Sequence, residues 1–405
     1  MPTLSCTEVD IGKAVGGCVA VVGTKHGGDV YIIAYSAVSG LFIINATKKE
    51  VTLISDLADP NTIGGISRLV NYSIKGSKVY MRTLHIRSGT LVVSDIDVDL
   101  SALSASRSEA LTHSISWIDS WTEICGGVLP PYLFVTADAD TEYIYCIDID
   151  DGSTRQIATG FGQYTPGPSY KVIHYKDDVY MLLGRHYSGD TFKLLKLYSG
   201  SVTDLGFSTG GGSPRALIGG MGVFRDELLI PATSSGVVNQ DNDIAILDHR
   251  FNRKVTLDVG SVTGWTTNDL IPGFFIVGKG TDRYYALLPV DRQPNGYNDT
   301  FRVYWIEFDL VNGILSSQLL YEVAVPDEVR ALLFCEYCDA FGAPVIDPIT
   351  KKLYFHYSVS TTTRMGICEV DLSDVWNNII ELNKHAWIIG QARIPTQLTL
   401  EVTPL

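Results

Sequence analysis

Short apolar runs separated by turn residues recur along the whole chain. The most regular set follows a polar turn residue and carries a tyrosine early, as in DVYIIAY from Asp29, SKVYMRTL from Ser77 and DVYMLLG from Asp178. Related runs elsewhere in the chain are PYLFVTA, DELLIPA, DRYYALLP and KLYFHYS. Because the runs are short and rich in β-branched and aromatic residues, they predict β-strands, and almost no helical periodicity competes with them.

A second apolar run follows each of these markers, and most of the second runs end in an apolar residue followed by aspartate, as in YIYCID, IAILD and CEVD. A weaker third run comes next, such as EVTLIS from Glu50 or KVTLDVG from Lys254. A glycine-rich apolar run, such as GGCVAVVG or GFFIVG, precedes most markers. The pattern therefore predicts a unit of four short strands that returns at intervals of about 50 residues.

Seven such units predict an all-β fold, a seven-bladed β-propeller of four-stranded antiparallel blades. One blade cannot bury both of its faces, so neighbouring blades must pack face to face around an axis, where glycine relieves crowding. The predicted blades of the single domain 1–405 are residues 12–56, 64–112, 120–159, 168–207, 215–260, 268–324, and 330–384 together with 3–11. An irregular pair of β-sandwiches is the alternative.

The two ends of the chain are expected to meet in the last blade. Residues 4–11 precede the first complete unit, so they are the natural outermost strand of blade seven and would close the ring. Residues 374–382 could form either a short helix capped by Ser373 or a strand. Residues 385–405 could form a second closing strand or an extension used in assembly.

Composition narrows the range of functions. Hydrophobic residues make up 45% of the chain, which is enough for a substantial core. The formal net charge of −14 argues against a general nucleic-acid binder, because such proteins need an extended positive surface. The apolar runs are too short to span a bilayer, so membrane insertion is not expected.

The cysteines and the N-terminus suggest a compartment. The seven cysteines have no framework-like spacing, and several lie in apolar strand runs, which predicts free thiols and a reducing environment. The N-terminus lacks the pattern of a secretory signal peptide. These features favour a cytoplasmic protein or a component of a virion or another assembled surface structure.

One group of basic residues stands out as a candidate binding site. Arg68, Lys171, Arg215 and Arg330 all open predicted innermost strands at comparable positions. If their registers are equivalent, they form a partial cationic ring at the channel mouth, which would favour a carboxylate, sulfate or phosphate. The alternative is that each side chain pairs with an acidic neighbour or points to solvent.

Aromatic residues supply a second candidate. Trp117, Trp121, Tyr164 and Trp265 fall in connectors between blades, where flat rings could stack on a sugar or contact a protein. The alternative is packing against the neighbouring blade.

Motifs for catalysis or metal binding are weak. The pair Cys335 and Cys338 could be two free thiols, a loop disulfide or half of a zinc site. The segment 148–154, DIDDGST, is similar to an Asp-box core but lacks its leading serine and closing tryptophan, so it predicts a turn. No catalytic residue, cofactor or metal site is assigned.

The turn IDIDDG is typical of irregular YVTN-like repeats, whose blades end in I-D-x-x-x-G, and the chain resembles seven-bladed β-propellers of that general kind from residue 4 to 384. No WD40 or kelch signature recurs. The resemblance implies a non-catalytic module that recognises a protein or glycan partner, with a virion or surface attachment role and self-assembly as further expectations. The alternative is a carbohydrate-active hydrolase or lyase with its site on the channel face.

Overall fold

The fold is all-β. The computed structural model describes residues 1–13, 20–59, 61–62, 67–114, 128–129, 131–137, 143–159, 171–175, 178–184, 192–198, 200–204, 216–217, 221–233, 243–250, 252–264, 273–292, 300–324, 344–358 and 363–390. Within these ranges, the only helical elements are the helix Val259–Thr263 and the 3-10 turns Ser55–Leu57 and Trp376–Asn378. No helix in these ranges is long and apolar enough to cross a membrane.

The strands of the described residues group into seven hydrogen-bonded sheets. We number the sheets in chain order. Sheet 1 contains Ala20–His26, Asp29–Ser36, Gly40–Asn45 and Glu50–Ile54, and sheet 2 contains Arg68–Lys75, Lys78–Arg87, Thr90–Asp99 and Ser104–Ser114. Sheet 3 contains Val128–Leu129, Tyr132–Ala137, Tyr143–Asp148 and Thr154–Thr159, and sheet 4 contains Lys171–Tyr175, Asp178–Gly184, Phe192–Tyr198 and Ser201–Asp204.

The last three sheets each contain a fifth strand. In sheet 5, two short segments pair with the same strand, and in sheets 6 and 7 a C-terminal strand pairs with the innermost strand. Sheet 5 contains Ala216–Leu217, Gly222–Val223, Leu228–Thr233, Asp243–Leu247 and Arg253–Asp258. Sheet 6 contains Phe275–Lys279, Tyr284–Arg292, Thr300–Asp309 and Gly313–Ala324, joined by Glu381–Leu382. Sheet 7 contains Val345–Asp347, Lys352–Ser358, Arg364–Asp371 and Thr3–Asp10, joined by Trp387–Ile388.

Consecutive sheets pack face to face through apolar side chains. One cluster of buried residues joins sheets 7, 1 and 2, a second joins 6 and 7, a third joins 5 and 6, and a fourth joins 2 and 3. Sheets 3 and 4 meet where the Arg155 guanidinium donates a hydrogen bond to the Gly200 carbonyl. Antiparallel four-stranded units packed in chain order are the arrangement of a β-propeller, as the repeat pattern predicts.

The connections between strands differ on the two faces of the propeller. In each sheet, the turns that follow the first and third strands lie on one face, as at 27–28, 76–77 and 348–351. We call this the short-turn face. The other connections within the described residues, such as the turns 37–39 and 88–89, lie on the opposite face. We call this the long-loop face.

The repeated aspartate after an apolar residue has a structural cause. It ends the third strand of a sheet, and its carboxylate accepts a hydrogen bond from a backbone N–H two residues later. This holds for Asp99, Asp148, Asp248, Asp309 and Asp371. Such Asx turns stabilise a tight reversal, so the repeat is a turn signal and not a row of catalytic acids. The segment 148–154 is accordingly a turn, as predicted.

The N-terminal strand lies where the sequence pattern predicts. Thr3–Asp10 pairs antiparallel with Arg364–Asp371 at the outer edge of sheet 7. Cys6 lies directly opposite Cys368, and the two form a disulfide across a sequence separation of 362 residues. The prediction of free thiols was therefore wrong for this pair. It failed because spacing along the chain carries no information about two strands that meet only after folding.

The C-terminal residues form a strap, which we define as residues 379–390. Leu382 and Glu381 pair antiparallel with Gly278 and Lys279 of sheet 6, and Trp387–Ile388 pairs in parallel with Val345 and Ile346 of sheet 7. The strap therefore lies along the inner edges of sheets 6 and 7, where the innermost strands face the propeller axis. The two strands of the strap, Glu381–Leu382 and Trp387–Ile388, run in opposite directions relative to the innermost strands. The chain therefore enters from the short-turn face and returns to it.

Two expectations change because of the strap. Residues 374–382 form the 3-10 turn Trp376–Asn378 and then a short strand, not a longer helix capped by Ser373. The innermost glycines are crowded by the strap as well as by neighbouring sheets. A Cβ added to Gly23 would lie 2.8 Å from the Cβ of Trp387, and one added to Gly278 would lie 2.7 Å from Cγ2 of Ile379.

Candidate functional site

The predicted cationic ring can be located only in part. Arg68 and Lys171 are the first residues of the innermost strands of sheets 2 and 4, so both begin at the long-loop face. The placement of their side chains is not described. Arg215 and Arg330 lie outside the described residues. The ring therefore stays a prediction.

The aromatic candidates and the weaker motifs lie largely outside the described residues. This applies to Trp117, Trp121, Tyr164, Trp265, Cys335 and Cys338. Their role stays a prediction.

The described part of the long-loop face contains a polar network between sheets 1 and 2. Asp59 lies in the connector between these sheets and is only 4% exposed. Its carboxylate accepts hydrogen bonds from His85 Nε2 at 2.9 Å and from Arg87 Nε at 2.6 Å. The backbone N–H of Asn61 donates a third at 3.2 Å, and Arg107 lies 3.4 Å away. Asp59 is therefore the centre of the network.

The electrostatics of the network follow from burial and from these donors. Burial alone would raise the pKa of Asp59, but the hydrogen bonds from His85 and Arg87 outweigh it and lower the pKa to about 2. Burial lowers the pKa of His85 below its usual value, despite the neighbouring carboxylate. An ionised Asp59 only accepts, so neutral His85 must carry its proton on Nε2. The buried Nδ1 then has no hydrogen-bond partner within the described residues.

The two arginines of the network are also occupied. Arg87 pairs with Glu109 as well as with Asp59. Arg107 donates from Nε to Ser94 Oγ at 3.0 Å and contacts the Leu57 carbonyl at 3.4 Å. Two carboxylates thus balance two guanidinium groups. We interpret the network as a support that holds the connector against sheet 2, not as a reactive site.

Sequence reasoning missed this network. Its residues come from a connector and from three different strands of sheet 2, and no spacing between them is diagnostic. The only local hint was the alternation of Arg107 and Glu109 along one strand, which places both on the same face of the sheet.

Replacing Asp59 with asparagine should lower the free energy of unfolding at pH 7 by about 2 kcal/mol, the equivalent of its pKa shift. The folded-state pKa is depressed, so the contribution is present above pH 4 and is lost as the pH falls towards 2. Urea unfolding of both proteins between pH 3 and 7 tests this. The difference should shrink below pH 4.

The matched control is Asp374→Asn, because the carboxylate of Asp374 is exposed and, among the described residues, pairs only with the N-terminal amine. This variant should lie within about 0.5 kcal/mol of the wild type. A loss for Asp59→Asn as small as that of the control would contradict the network's stabilising role.

The strap supplies the other described feature of the channel. Asn383 is fully buried, and its side-chain amide donates to the carbonyls of Met221 and Ile276, both at 2.6 Å. Its side-chain oxygen accepts from the backbone N–H groups of Val223 and His385. All four hydrogen-bonding positions of the amide are therefore used, and the strap is fixed to sheets 5 and 6.

On the other side of the axis, the strap contacts sheets 7, 1 and 2. The Trp387 backbone N–H donates to Pro344, and its ring meets the Tyr72 ring edge-on, with centroids 4.8 Å apart. The partners of the strap on sheet 6 are the last residues of the innermost strand, at its short-turn end. The strap therefore forms a floor to the channel as seen from the long-loop face.

No protein-family model and no curated protein matches the chain. Its structure is similar to the S. cerevisiae core factor at 10% identity and a TM-score of 0.46, covering 91% of this chain and 61% of that chain. It is also similar to S. cerevisiae Sqt1, at 11% identity and a TM-score of 0.45, covering 91% of this chain and 99% of that one.

A third similar structure is the GH74 xyloglucanase from Xanthomonas campestris, at 11% identity and a TM-score of 0.44. It covers 88% of this chain and 53% of that chain. The chain thus spans less than two thirds of the core factor and of the xyloglucanase. At these identities and TM-scores, none of the three says what this chain binds or whether it is an enzyme.

Proposed function

We propose that the sheets close into a ring of seven blades, with Thr3–Asp10 completing the last one. The seven sheets and the pairing of this strand with Arg364–Asp371 support the proposal. So does the buried cluster shared by sheets 7, 1 and 2, because it joins the end of the repeat array to its beginning. The contact between sheets 4 and 5 falls outside the described residues.

We infer that this propeller is a non-catalytic recognition module that binds a macromolecular partner, a protein or a glycan, on its long-loop face. The observation that carries this inference is the strap. The strap fills the inner edges of sheets 6 and 7 with the protein's own chain, which leaves less room near the axis for the kind of cleft in which an enzyme buries a small substrate. Variable connectors on a rigid scaffold are the usual place for recognition.

The alternative is a carbohydrate-active hydrolase or lyase on the same face. Acidic residues of the predicted loops could form a glycosidase pair, but their spacing selects no two of them. These residues, Asp190, Asp269, Glu336 and Asp339, lie outside the described residues. No described contact favours it. A role in a virion or another surface structure, and a location in the cytoplasm or in such an assembly, rest on composition alone and remain proposals.

The test is binding of the full-length protein to a printed glycan array, followed by an assay for release of reducing sugars from every glycan bound. We expect binding without turnover, and loss of binding in Trp121→Ala and Trp265→Ala. Binding of no glycan would assign the long-loop face to a protein partner. Ile349→Ser, on the short-turn face, is the matched control and should bind normally. Hydrolysis or elimination of a bound glycan would overturn the proposal. Binding confined to the short-turn face would overturn it as well.

A further inference from the structure

Apolar side chains are exposed on the short-turn face. Val311 is 85% exposed, Ile349 is 79% exposed and Ile380 is 67% exposed. Val311 lies in a turn of sheet 6, Ile349 lies in a turn of sheet 7, and Ile380 lies where the strap enters the channel. Other large apolar residues that are at least partly exposed near this face are Met1, Ile74, Tyr80, Leu103, Tyr198 and Leu315. Single exposed apolar residues are common. Ile349 and Ile380 differ from the others because both adjoin the segment that pairs with the innermost strands of sheets 6 and 7.

Two of these residues lie at the ends of the strap: Ile380 is at its start, and Ile349 is in the turn next to the strand that pairs with its end. The backbone N–H of Ile380 donates to the carbonyl of Lys279, the last residue of the innermost strand of sheet 6. At the other end of the strap, the backbone N–H of Ile389 donates to the carbonyl of Ile346. Ile346 is one residue before the end of the innermost strand of sheet 7. That strand leads directly into the turn that carries Ile349. The chain therefore leaves the channel at Gly390, beside the exposed apolar residues.

The residues that follow Gly390 have a composition suited to such a surface. Residues 391–405 read QARIPTQLTLEVTPL, in which Leu398, Leu400 and Val402 alternate with polar residues. In an extended segment this alternation places the three apolar side chains on one side. At about 3.3 Å per residue, the chain from 391 to 398 can extend up to about 26 Å. This reach allows the segment to lie across neighbouring sheets at the axis.

We propose that residues 391–405 dock in cis on the short-turn face, with their apolar side covering the patch formed by Ile349 and Ile380. The proposal concerns the face opposite to the one assigned to recognition, and it does not depend on that assignment. Docking removes apolar surface from water at both partners, which favours it by about 25 cal/mol per Å². The charge on the segment is small, since it contains only Arg393 and Glu401 as ionisable side chains.

The test places the photo-crosslinking amino acid p-benzoylphenylalanine at position 349 of the full-length chain. After illumination, the products are separated by size and their cross-linked peptides are identified by mass spectrometry. We expect a monomer-sized product in which position 349 is joined to residues 391–405. The matched control carries the same probe at Val38, which is 37% exposed and lies in a turn of the long-loop face. It should give no such product.

A second measurement uses a chain truncated after Gly390, which keeps the whole strap. Hydrogen exchange in the turn 348–351 and binding of the dye ANS should both rise several-fold relative to the full-length protein. A dimer-sized product joining position 349 to another copy would overturn docking in cis and assign the face to self-association. Cross-links elsewhere with unchanged exchange in the truncated chain would also overturn the proposal.

Discussion

Replacement of Asn383 with alanine should lower the free energy of unfolding by about 3–5 kcal/mol. The substitution leaves the carbonyls of Met221 and Ile276 and the N–H groups of Val223 and His385 without the side-chain partners they have now. Each buried polar group left unpaired costs about 1–3 kcal/mol, and such costs are not additive. Urea unfolding followed by tryptophan fluorescence and by circular dichroism measures the loss.

The control is Asn377→Ala, because Asn377 precedes the strap and its side chain is exposed. It should change stability by less than about 0.5 kcal/mol. If the strap only rested in the channel without holding the sheets together, the two variants would behave alike. A variant at Asn383 that is as stable as the control would therefore refute a stabilising role for the strap.

The second large effect is expected at the disulfide. Reduction of Cys6–Cys368, or its removal in Cys6→Ser, should destabilise the protein by about 2–5 kcal/mol. The physical reason is that the bond closes a loop of nearly the whole chain, which restricts the unfolded state far more than a short loop does. The measurement is the urea midpoint with and without dithiothreitol.

In this experiment, the wild type and Cys6→Ser each serve as the control for the other. Dithiothreitol should lower the midpoint of the wild type and leave that of Cys6→Ser unchanged, because Cys6–Cys368 is the only disulfide within the described residues and the variant lacks it. A wild-type midpoint that does not respond to the reductant, with reduction verified by thiol labelling, would show that the cross-link does not stabilise the fold.

Sequence reasoning reached the fold through local signals. The strands and turns were readable because each depends on residues close in sequence, as with the apolar residue and aspartate that end a third strand. The N-terminal edge strand was also predictable, because a repeat array that begins with a spare strand needs it in the last unit. These features depend on periodicity, which a single sequence displays directly.

The features that sequence reasoning missed all depend on distant residues. The disulfide joins strands from opposite ends of the chain, and the Asp59 network joins a connector to three strands of sheet 2. The strap was visible only as a segment that could be a helix or a strand, because its strands are short and pair with two different sheets. No local sequence pattern indicates such pairings, because they arise from packing between segments that are distant in sequence.

Sheet 7 also has a consequence for how the protein is made. Its outer strand is synthesised long before its third strand, so Thr3–Asp10 has no partner until Arg364–Asp371 has left the ribosome. Until then, the nascent chain carries an open sheet edge and an exposed blade face, both of which are prone to aggregate. Contacts this far apart in sequence also form slowly. Completion of sheet 7 thus waits for a partner 362 residues later in the chain, and the period before it is when the nascent chain most needs a chaperone.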